Sequence, residues 1–227
     1  MATKRAIINA YTGEGWYEQG QARLVASLGN VQADVLAFNE SDLFDSPYYD
    51  KNCPYTIKAA AIHAAVADGY NQIIWLDCSV QVVKPLDDWF KLIDTDGSYF
   101  MTGGWNCAQE CNDYSLDYFG FTRDQAELLP CLWSCIFAID IRHQKPALLL
   151  QEFLQSCLEG VFHGSRHHDG QSSDPRFLHH RQDQSALSLA LHRVGIEKIH
   201  MPHIHMAYTG MGAEVKDSTL FTVRGGI

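Results

Sequence analysis

The sequence has no run of apolar residues that approaches the roughly 20 needed to cross a bilayer. Basic residues are scarce, with 17 lysines and arginines against 27 aspartates and glutamates and a formal net charge of −10. This balance argues against a broad nucleic-acid-binding surface, which is usually basic. The segments RHH (166–168) and HHR (179–181) leave a local basic groove open, but we interpret them as a solvated loop. The dinucleotide fingerprint G-x-G-x-x-G is also missing.

Cysteine is present in an odd number, seven, spread along the chain. The first residues show no secretory signal, so we expect reduced thiols and a cytoplasmic protein. The pairs Cys107/Cys111 and Cys131/Cys135 each enclose three residues, whereas zinc knuckles usually enclose two. Buried thiols are therefore the favoured interpretation over a zinc site.

The first half of the chain alternates between strand and helix patterns. Strands are predicted at 5–11, 33–40, 71–77 and 98–105, with a short strand, VQVV, after the third, and helices at 15–30, 55–69 and 85–94. An alternating order of this kind predicts an α/β fold with a parallel sheet and right-handed crossovers.

The second half is more varied. The predicted elements are two short helices within 105–130, a strand at 133–141, helices at 145–160 and 181–195, and a last strand at 197–202. Residues 163–180 predict a long loop, and 203–227 show no clear element. No repeat or linker divides the chain, so we expect one domain.

Four features lie at the ends of predicted elements, and each has an ordinary explanation. The loop INAYTGEG (8–15) is either a nucleotide contact or a plain glycine loop. Asp77 and Ser79 point the same way from an extended segment, and the pair is either a cation site or part of a turn at the strand end. Asp183 and Gln184 open a helix, where an acid either caps it or faces a pocket. His203 and His205 are metal ligands or a surface cluster.

The central segment YTIKAAAIHAAVADGYNQIIWLDCSVQVVKPLDDWF resembles nucleotide-sugar glycosyltransferases of the GT-A fold, and QDQSALSLALHRVG is similar to their later Asp-Gln segment. The resemblance covers about residues 5 to 210. It implies an α/β fold with a single Rossmann-like GT-A domain, 1–227, and a mostly parallel central sheet flanked by helices. Residues 1–104 would form the nucleotide-binding half and 105–227 the half that holds the sugar and acceptor.

The resemblance also implies roles for individual residues. Asp77 matches the first acid of an Asp-x-Asp motif, with Ser79 in place of the second, and His205 or His203 matches a C-terminal metal ligand. Asp183 matches an acid near sugar and acceptor, a candidate catalytic group. The remaining matches are Asn9, Ala10 and Tyr11 for base and ribose, Lys58 for the diphosphate, and Gly103, Gly104, Trp105 and Gln184 around sugar and acceptor.

The implied activity is transfer of a sugar from a nucleoside-diphosphate sugar to an acceptor that the sequence does not identify. The implied metal is Mn²⁺ or Mg²⁺, held by Asp77, Ser79 and His205. Two alternatives stay open. Because Ser79 replaces an acid, the chain could be a non-catalytic nucleotide- or sugar-binding protein. The histidines in 163–180 and 200–205 could instead serve a metal-dependent hydrolase or phosphotransferase.

Overall fold

The computed structural model describes residues 2–164, 171–201, 205–209, 214–216 and 219–223. The first half contains strands β1 (Arg5–Tyr11), β2 (Asp34–Asn39), β3 (Gln72–Leu76), β4 (Val80–Val82), β5 (Ser98–Tyr99) and β6 (Thr102–Asn106), and helices α1 (Trp16–Ser27), α2 (Ile57–Ala67) and α3 (Asp87–Asp96). The second half contains helices α4 (Cys107–Glu110), α5 (Asp113–Phe119), α6 (Arg123–Glu127), α7 (Gln144–Leu158) and α8 (Asp183–Val194), and strands β7 (Pro130–Leu132), β8 (Ile136–Asp140), β9 (Met206–Tyr208) and β10 (Phe221–Val223).

The central sheet has the strand order β2-β1-β3-β8-β5. β1 pairs in parallel with both β2 and β3, as predicted, whereas β8 runs antiparallel to β3 and to β5. Four of the five strands therefore share one direction, and the mostly parallel sheet flanked by helices is confirmed. Because β8 is reversed, its amino end lies at the same edge as the carboxyl ends of β1 and β3.

Alternating side chains of the strands build an apolar core on each face of the sheet. On one face, Ile73 and Trp75 of β3 pack in a cluster with α2, α7 and α8. On the other, Ile74 and Leu76 pack in a cluster with α1, α3 and the tail strands. Burying a side chain of this size stabilises the fold by about 1.5–3 kcal/mol relative to exposing it. The buried β3 is thus held rigidly, and the residue that follows it has a fixed position.

The region 98–132 differs from its prediction. The strand expected at 98–105 is split, because β5 joins the central sheet while β6 pairs with β7 in a separate two-stranded sheet. Three short helices, α4 to α6, replace the two expected. Each is preceded by an asparagine or threonine whose side chain accepts a hydrogen bond from a backbone N–H of the first turn. This N-cap stabilises the start of each short helix.

The C-terminal region also differs. Of the strand predicted at 197–202, the described residues 197–201 form none, and His200 makes an isolated bridge to Met101. Further on, where no element was predicted, β9 and β10 form a three-stranded sheet with β4 in the order β4-β10-β9. The described part of the tail thereby reaches the segment that directly follows Asp77.

Within the segment HHR (179–181), His180 is packed rather than solvated, contrary to our interpretation, and the two residues beside it are half-buried. His180 is fully buried, with its ring Nε2 within 2.9 Å of the Val161 carbonyl oxygen, and burial lowers its pKa to about 4. The neutral ring therefore serves packing at neutral pH. Its counterpart RHH (166–168) lies outside the described residues, as does His203.

Candidate active site

A cavity of about 710 Å³ opens at the edge where β1 and β3 end. It draws on both halves of the chain: the loop after β1, the start of α2, the residues after β3, the segment before β8, the start of α8 and the tail. The predicted site residues that line it are Ala10, Tyr11, Lys58, Asp77, Ser79, Trp105, Asp183 and Gln184.

An ammonium group held by two carboxylates lies in the wall of this pocket. Lys58 Nζ is 2.5 Å from Asp183 Oδ2 and 3.4 Å from Asp77 Oδ1. Ser134 completes the arrangement, since Lys58 Nζ donates to its carbonyl oxygen at 2.8 Å and the Ser134 hydroxyl donates to Asp183 Oδ2 at 2.9 Å. Residues 125 positions apart in the sequence, Lys58 and Asp183, are thus joined in a single buried network.

Burial and charge oppose each other at Lys58. Burial alone would lower its pKa, but the negative charges of Asp183 and Asp77 outweigh it, so the pKa is raised. Lys58 is therefore charged throughout the physiological range. A permanently charged lysine gives the two acids a fixed counter-ion.

Asp77 sits in a different environment. Burial raises its pKa, Lys58 partly offsets that rise, and the like charge of Asp183 adds to it. Its Oδ1 accepts a hydrogen bond from the Trp75 indole at 2.5 Å, and 36% of the side chain is exposed to the pocket. The carboxylate is therefore oriented by protein on one side and open to a ligand on the other.

Local backbone structure places each acid. Asp77 directly follows β3, and its N–H donates to the Cys135 carbonyl at 2.8 Å, which ties it to the segment before β8. Asp183 opens α8 after Gln182, a non-glycine residue with φ of 47°. That backbone conformation costs free energy in any residue other than glycine. It is held by the side-chain amide of Gln182, which donates to the Gly164 carbonyl at 3.0 Å. The turn aims Asp183 back at Lys58.

A close helix contact shapes the Asp77–Ser79 loop. A Cβ placed on Gly20 would lie 2.6 Å from the Cys78 carbonyl oxygen, so only glycine lets α1 approach this loop. Arg23, one turn further along α1, donates to the same carbonyl at 3.0 Å. Burial raises the pKa of Cys78 to about 11, so this thiol is protonated at neutral pH.

Gln184 is fixed by a buried carboxylate. Its amide donates to Glu110 Oε2 at 2.7 Å, while Glu110 Oε1 lies 3.1 Å from His179 Nε2. Glu110 and His179 flank the start of α8, and Glu110 is almost completely buried. The pocket face of Gln184 is thereby given a single orientation.

Aromatic side chains form much of the mouth of the pocket. Trp133 packs edge-on against Tyr208 of β9, with ring centroids 5.5 Å apart, and it fits only because residue 103 lacks a side chain. Trp105 and Tyr17 leave 45% and 51% of their surfaces exposed. Flat, half-exposed rings of this kind suit the faces of bases and sugars.

Four of the predicted site residues that the structure describes do not line the pocket, and one of them, Gly103, lies against the Trp133 ring. Asn9 is buried behind it, where its amide donates to the Leu76 carbonyl at 2.6 Å and accepts from Gln21 at 2.9 Å, bracing β1 against β3. Gly104 adjoins Trp105 but is not part of the lining. His205 Nδ1 is 2.5 Å from the Tyr99 hydroxyl, and the ring packs near Tyr99 and His200.

Sequence reasoning missed Ser134, Trp133 and Arg181, which all line the pocket. Ser134 and Trp133 precede β8, and a parallel β8 would have placed them at the opposite edge of the sheet. No local signal gives that direction. Arg181 did have a signal, its position two residues before Asp183.

Neither a protein-family model nor a curated protein matches the chain in sequence. Solved structures do match. A glycosyltransferase involved in the glycosylation of the major capsid of PBCV-1 is similar with a TM-score of 0.59 at 12% identity, over 99% of this chain and 95% of that one. Mouse xyloside xylosyltransferase 1 is similar with a TM-score of 0.56 at 11% identity, over 98% of each chain. The bifunctional glycosyltransferase WbbM gives 0.57 at 9% identity, over all of this chain and 46% of its own.

The chain has a GT-A-like glycosyltransferase fold. At these identities the likeness establishes the fold and leaves the activity to the chemistry of the site. Within the GT-A-like fold, the pocket lies outside the carboxyl ends of β1 and β3, where open α/β sheets bind ligands.

Neither a membrane span nor a metal-binding cluster is found among the described residues. No helix among them combines the length and apolar character needed to cross a membrane. In the same part of the chain, no three histidine, cysteine, aspartate or glutamate side chains are placed to hold a metal ion. All seven cysteines are free, and Cys135 lies in the pocket lining rather than with Cys131 in a zinc site.

Proposed function

We propose that this protein is a glycosyltransferase that moves a sugar from a nucleoside-diphosphate sugar to an acceptor. The observation that carries the proposal is the joining of Asp77 and Asp183 through Lys58 in one pocket of a GT-A-like fold. Two acids and a buried lysine at the ligand-binding edge of such a sheet supply the groups that this chemistry needs.

The proposed donor lies along the sheet edge. Ala10 and Tyr11 border base and ribose, with Asn9 bracing the strand behind them. Asp77, with its open carboxylate oxygen, contacts the ribose or the phosphates. Lys58 lies nearby as the fixed positive charge of the acid pair. Trp105 and Gln184 border the sugar, and Gly104 gives the Trp105 loop its shape.

Asp183 is the proposed catalytic residue. Its Oδ2 accepts bonds from Lys58 and Ser134, so Oδ1 is the oxygen available to substrate. In an inverting reaction the acceptor oxygen attacks the anomeric carbon, and its proton passes to Asp183. As the new bond forms, the bond between the anomeric carbon and the phosphate oxygen breaks, and the nucleoside diphosphate leaves with the electron pair. In a retaining reaction Asp183 would hold the sugar instead.

A divalent cation, implied with Asp77, Ser79 and His205 as ligands, fits these residues poorly. Only Asp77 and Ser79 face the pocket, and one Asp77 oxygen already accepts from Trp75 and lies near the Lys58 ammonium. His205 is engaged with Tyr99. Hard cations take six or more oxygen ligands, so this donor set is small for a divalent cation.

Two broader proposals accompany this function. We propose that residues 1–227 work as one unit, with 1–104 on the nucleotide side and 105–227 on the sugar and acceptor side. The pocket lining supports this, since it contains residues of both parts. We also propose a cytoplasmic location, which the seven free thiols support.

The direct test incubates the purified protein with a panel of UDP-, GDP- and CMP-linked sugars, with and without Mn²⁺, and follows release of the nucleotide. Binding is measured in parallel by calorimetry. We expect binding and slow hydrolysis of at least one nucleoside-diphosphate sugar. Binding without any turnover, even with acceptors supplied, would favour a non-catalytic sugar- or nucleotide-binding protein, and absence of binding would refute the proposal.

A further inference from the structure

The described pocket lining contains four charged side chains: Lys58, Asp77, Arg181 and Asp183. Lys58 is committed to protein, since its ammonium donates to Asp183 and to both oxygens of Ser134. A diphosphate would bring more negative charge to a site that already contains two carboxylates. Its binding therefore requires a cation that the acids do not already neutralise.

Arg181 has no carboxylate partner among the described residues. The polar contact of its guanidinium there is a long one, 3.5 Å from Nη2 to Gln184 Oε1. This is unusual for the protein. Each other described arginine is paired with an acid or a carbonyl: Arg5, Arg123, Arg142, Arg176 and Arg193 with carboxylates, and Arg23 with the Cys78 carbonyl.

The backbone of Arg181 is held firmly, although its guanidinium has no carboxylate partner in the described part of the chain. Its N–H donates to the Ser185 hydroxyl at 2.9 Å and lies 3.2 Å from the Glu110 carbonyl. Its own carbonyl accepts from the Gln184 N–H at 2.9 Å. The guanidinium therefore starts from a fixed point beside Asp183, which lowers the entropy cost of ordering it on a ligand.

We propose that Arg181 binds the diphosphate of the donor. Its guanidinium supplies the positive charge that a divalent cation would otherwise supply, because the residues here do not fit such a cation. This inference rests on the proposed function. A guanidinium can form two parallel hydrogen bonds to phosphate oxygens, a geometry that a lysine ammonium cannot reproduce. As the sugar–phosphate bond breaks, the leaving diphosphate gains charge next to this fork.

The test measures calorimetric binding of UDP, UMP and uridine, and of GDP, GMP and guanosine, in buffer containing EDTA. We expect wild type to bind a nucleoside diphosphate without metal. Arg181→Gln should weaken diphosphate binding about 10- to 100-fold and nucleoside binding hardly at all. The diphosphate affinity of Arg181→Lys should lie between those of wild type and Arg181→Gln, because lysine keeps the charge but cannot form two parallel hydrogen bonds.

Arg193→Gln is the matched control. It removes the same charge from the other end of α8, where Arg193 is 3.6 Å from Glu152 and does not line the pocket. Its diphosphate affinity should equal that of wild type, and thermal unfolding should show each variant folded.

Two results would overturn the role of Arg181 while leaving the proposed function intact. One is undiminished diphosphate binding by Arg181→Gln. The other is diphosphate binding by wild type that appears only when Mn²⁺ replaces EDTA. Failure of wild type to bind any of the six probes in either buffer would reject both the inference and the proposed function.

Discussion

Asp77 illustrates a conflict between stability and ligand binding at a single residue. Burial raises its pKa, which means that the folded protein holds the ionised carboxylate less favourably than the unfolded chain does. The ionised form is nevertheless the one that a donor-binding pocket needs. Lys58, 3.4 Å away, reduces this cost without removing it.

Asp77→Asn should therefore stabilise the protein at pH 7 while weakening donor binding. As pH rises from the ordinary carboxyl range through the raised pKa of the folded state, wild type loses stability that the variant keeps. Melting temperatures measured between pH 3 and 7 should diverge over that window. Asp88→Asn is the control with the opposite sign, because Lys91 lowers the pKa of Asp88. Parallel curves for wild type and Asp77→Asn would contradict the argument.

Asp183→Asn should abolish transfer and spare donor binding. The amide keeps the size of the side chain but cannot take the acceptor proton, and loss of a general base lowers rates by about 100- to 10,000-fold. Lys58 retains Asp77 as a counter-ion, so the fold should survive. Turnover and donor affinity are measured separately, with the exposed Asp117→Asn as control. Full activity in Asp183→Asn would restrict Asp183 to holding Lys58.

The sequence was informative about Asp77 and Asp183 because each occupies a recognisable local position, a strand end and a helix start. It was silent on Ser134, which contacts both Lys58 and Asp183. Ser134 lies near these two residues because β8 is antiparallel to β3. The direction of a strand is set by its pairing in the sheet and not by neighbouring residues in the sequence. The roles of these residues stay predictions.

At the scale of elements, the beginning of α8 stores backbone strain. Gln182 has φ of 47° and ψ of −115°, a conformation that glycine adopts readily and other residues adopt at a cost of about 1–3 kcal/mol. The side-chain amide of Gln182 helps to hold this conformation by donating a hydrogen bond to the Gly164 carbonyl. The strained turn fixes both Arg181 and Asp183.

Comparison of Gln182→Gly with Gln182→Ala isolates this strain, because both variants lose the side-chain amide and its hydrogen bond to Gly164. The glycine variant should be more stable than the alanine variant by about 1–3 kcal/mol, measured by denaturant unfolding. Ser46→Gly and Ser46→Ala, which both remove a half-buried hydroxyl, provide a comparison at a residue whose φ is not positive. The same difference in stability between the glycine and alanine variants at positions 182 and 46 would mean that the turn is not strained.

Elements with their own periodic pattern were predicted well, from β1 through β3, because apolar spacing and glycine stops lie within each segment. β9 and β10 were missed because each has only three residues and is stabilised by pairing rather than by a local pattern, β10 with β4 and β9 with β10. The strand expected at 98–105 failed for the same reason, since its two ends pair with different partners.

At the scale of the whole molecule, burial protects the thiols. It raises the pKa of Cys53 to about 11 and that of Cys157 to about 12, and Cys107, Cys111 and Cys131 are fully buried. Thiolates, which are the reactive form, are therefore rare at pH 8.

A thiol titration with Ellman's reagent at pH 8, without reductant, should give seven thiols per chain in guanidinium and less than one in the native protein within the same minutes. Cys135, in the pocket, is the thiol expected to react first on longer exposure, and Cys135→Ser tests that assignment. A denatured count of five would reveal a disulfide and contradict the free cysteines of the structure.

The placement of β8 between β3 and β5 has a consequence for synthesis on the ribosome. β3, with the sequence QIIWL, leaves the ribosome about 60 residues before the strand that covers its free edge. At about 5–20 residues per second, that edge stays open for roughly 3–12 seconds. Unpaired apolar strands of this kind attract other chains. The nascent protein should therefore depend on chaperones during this interval, and slow codons between 77 and 135 should lower its soluble yield.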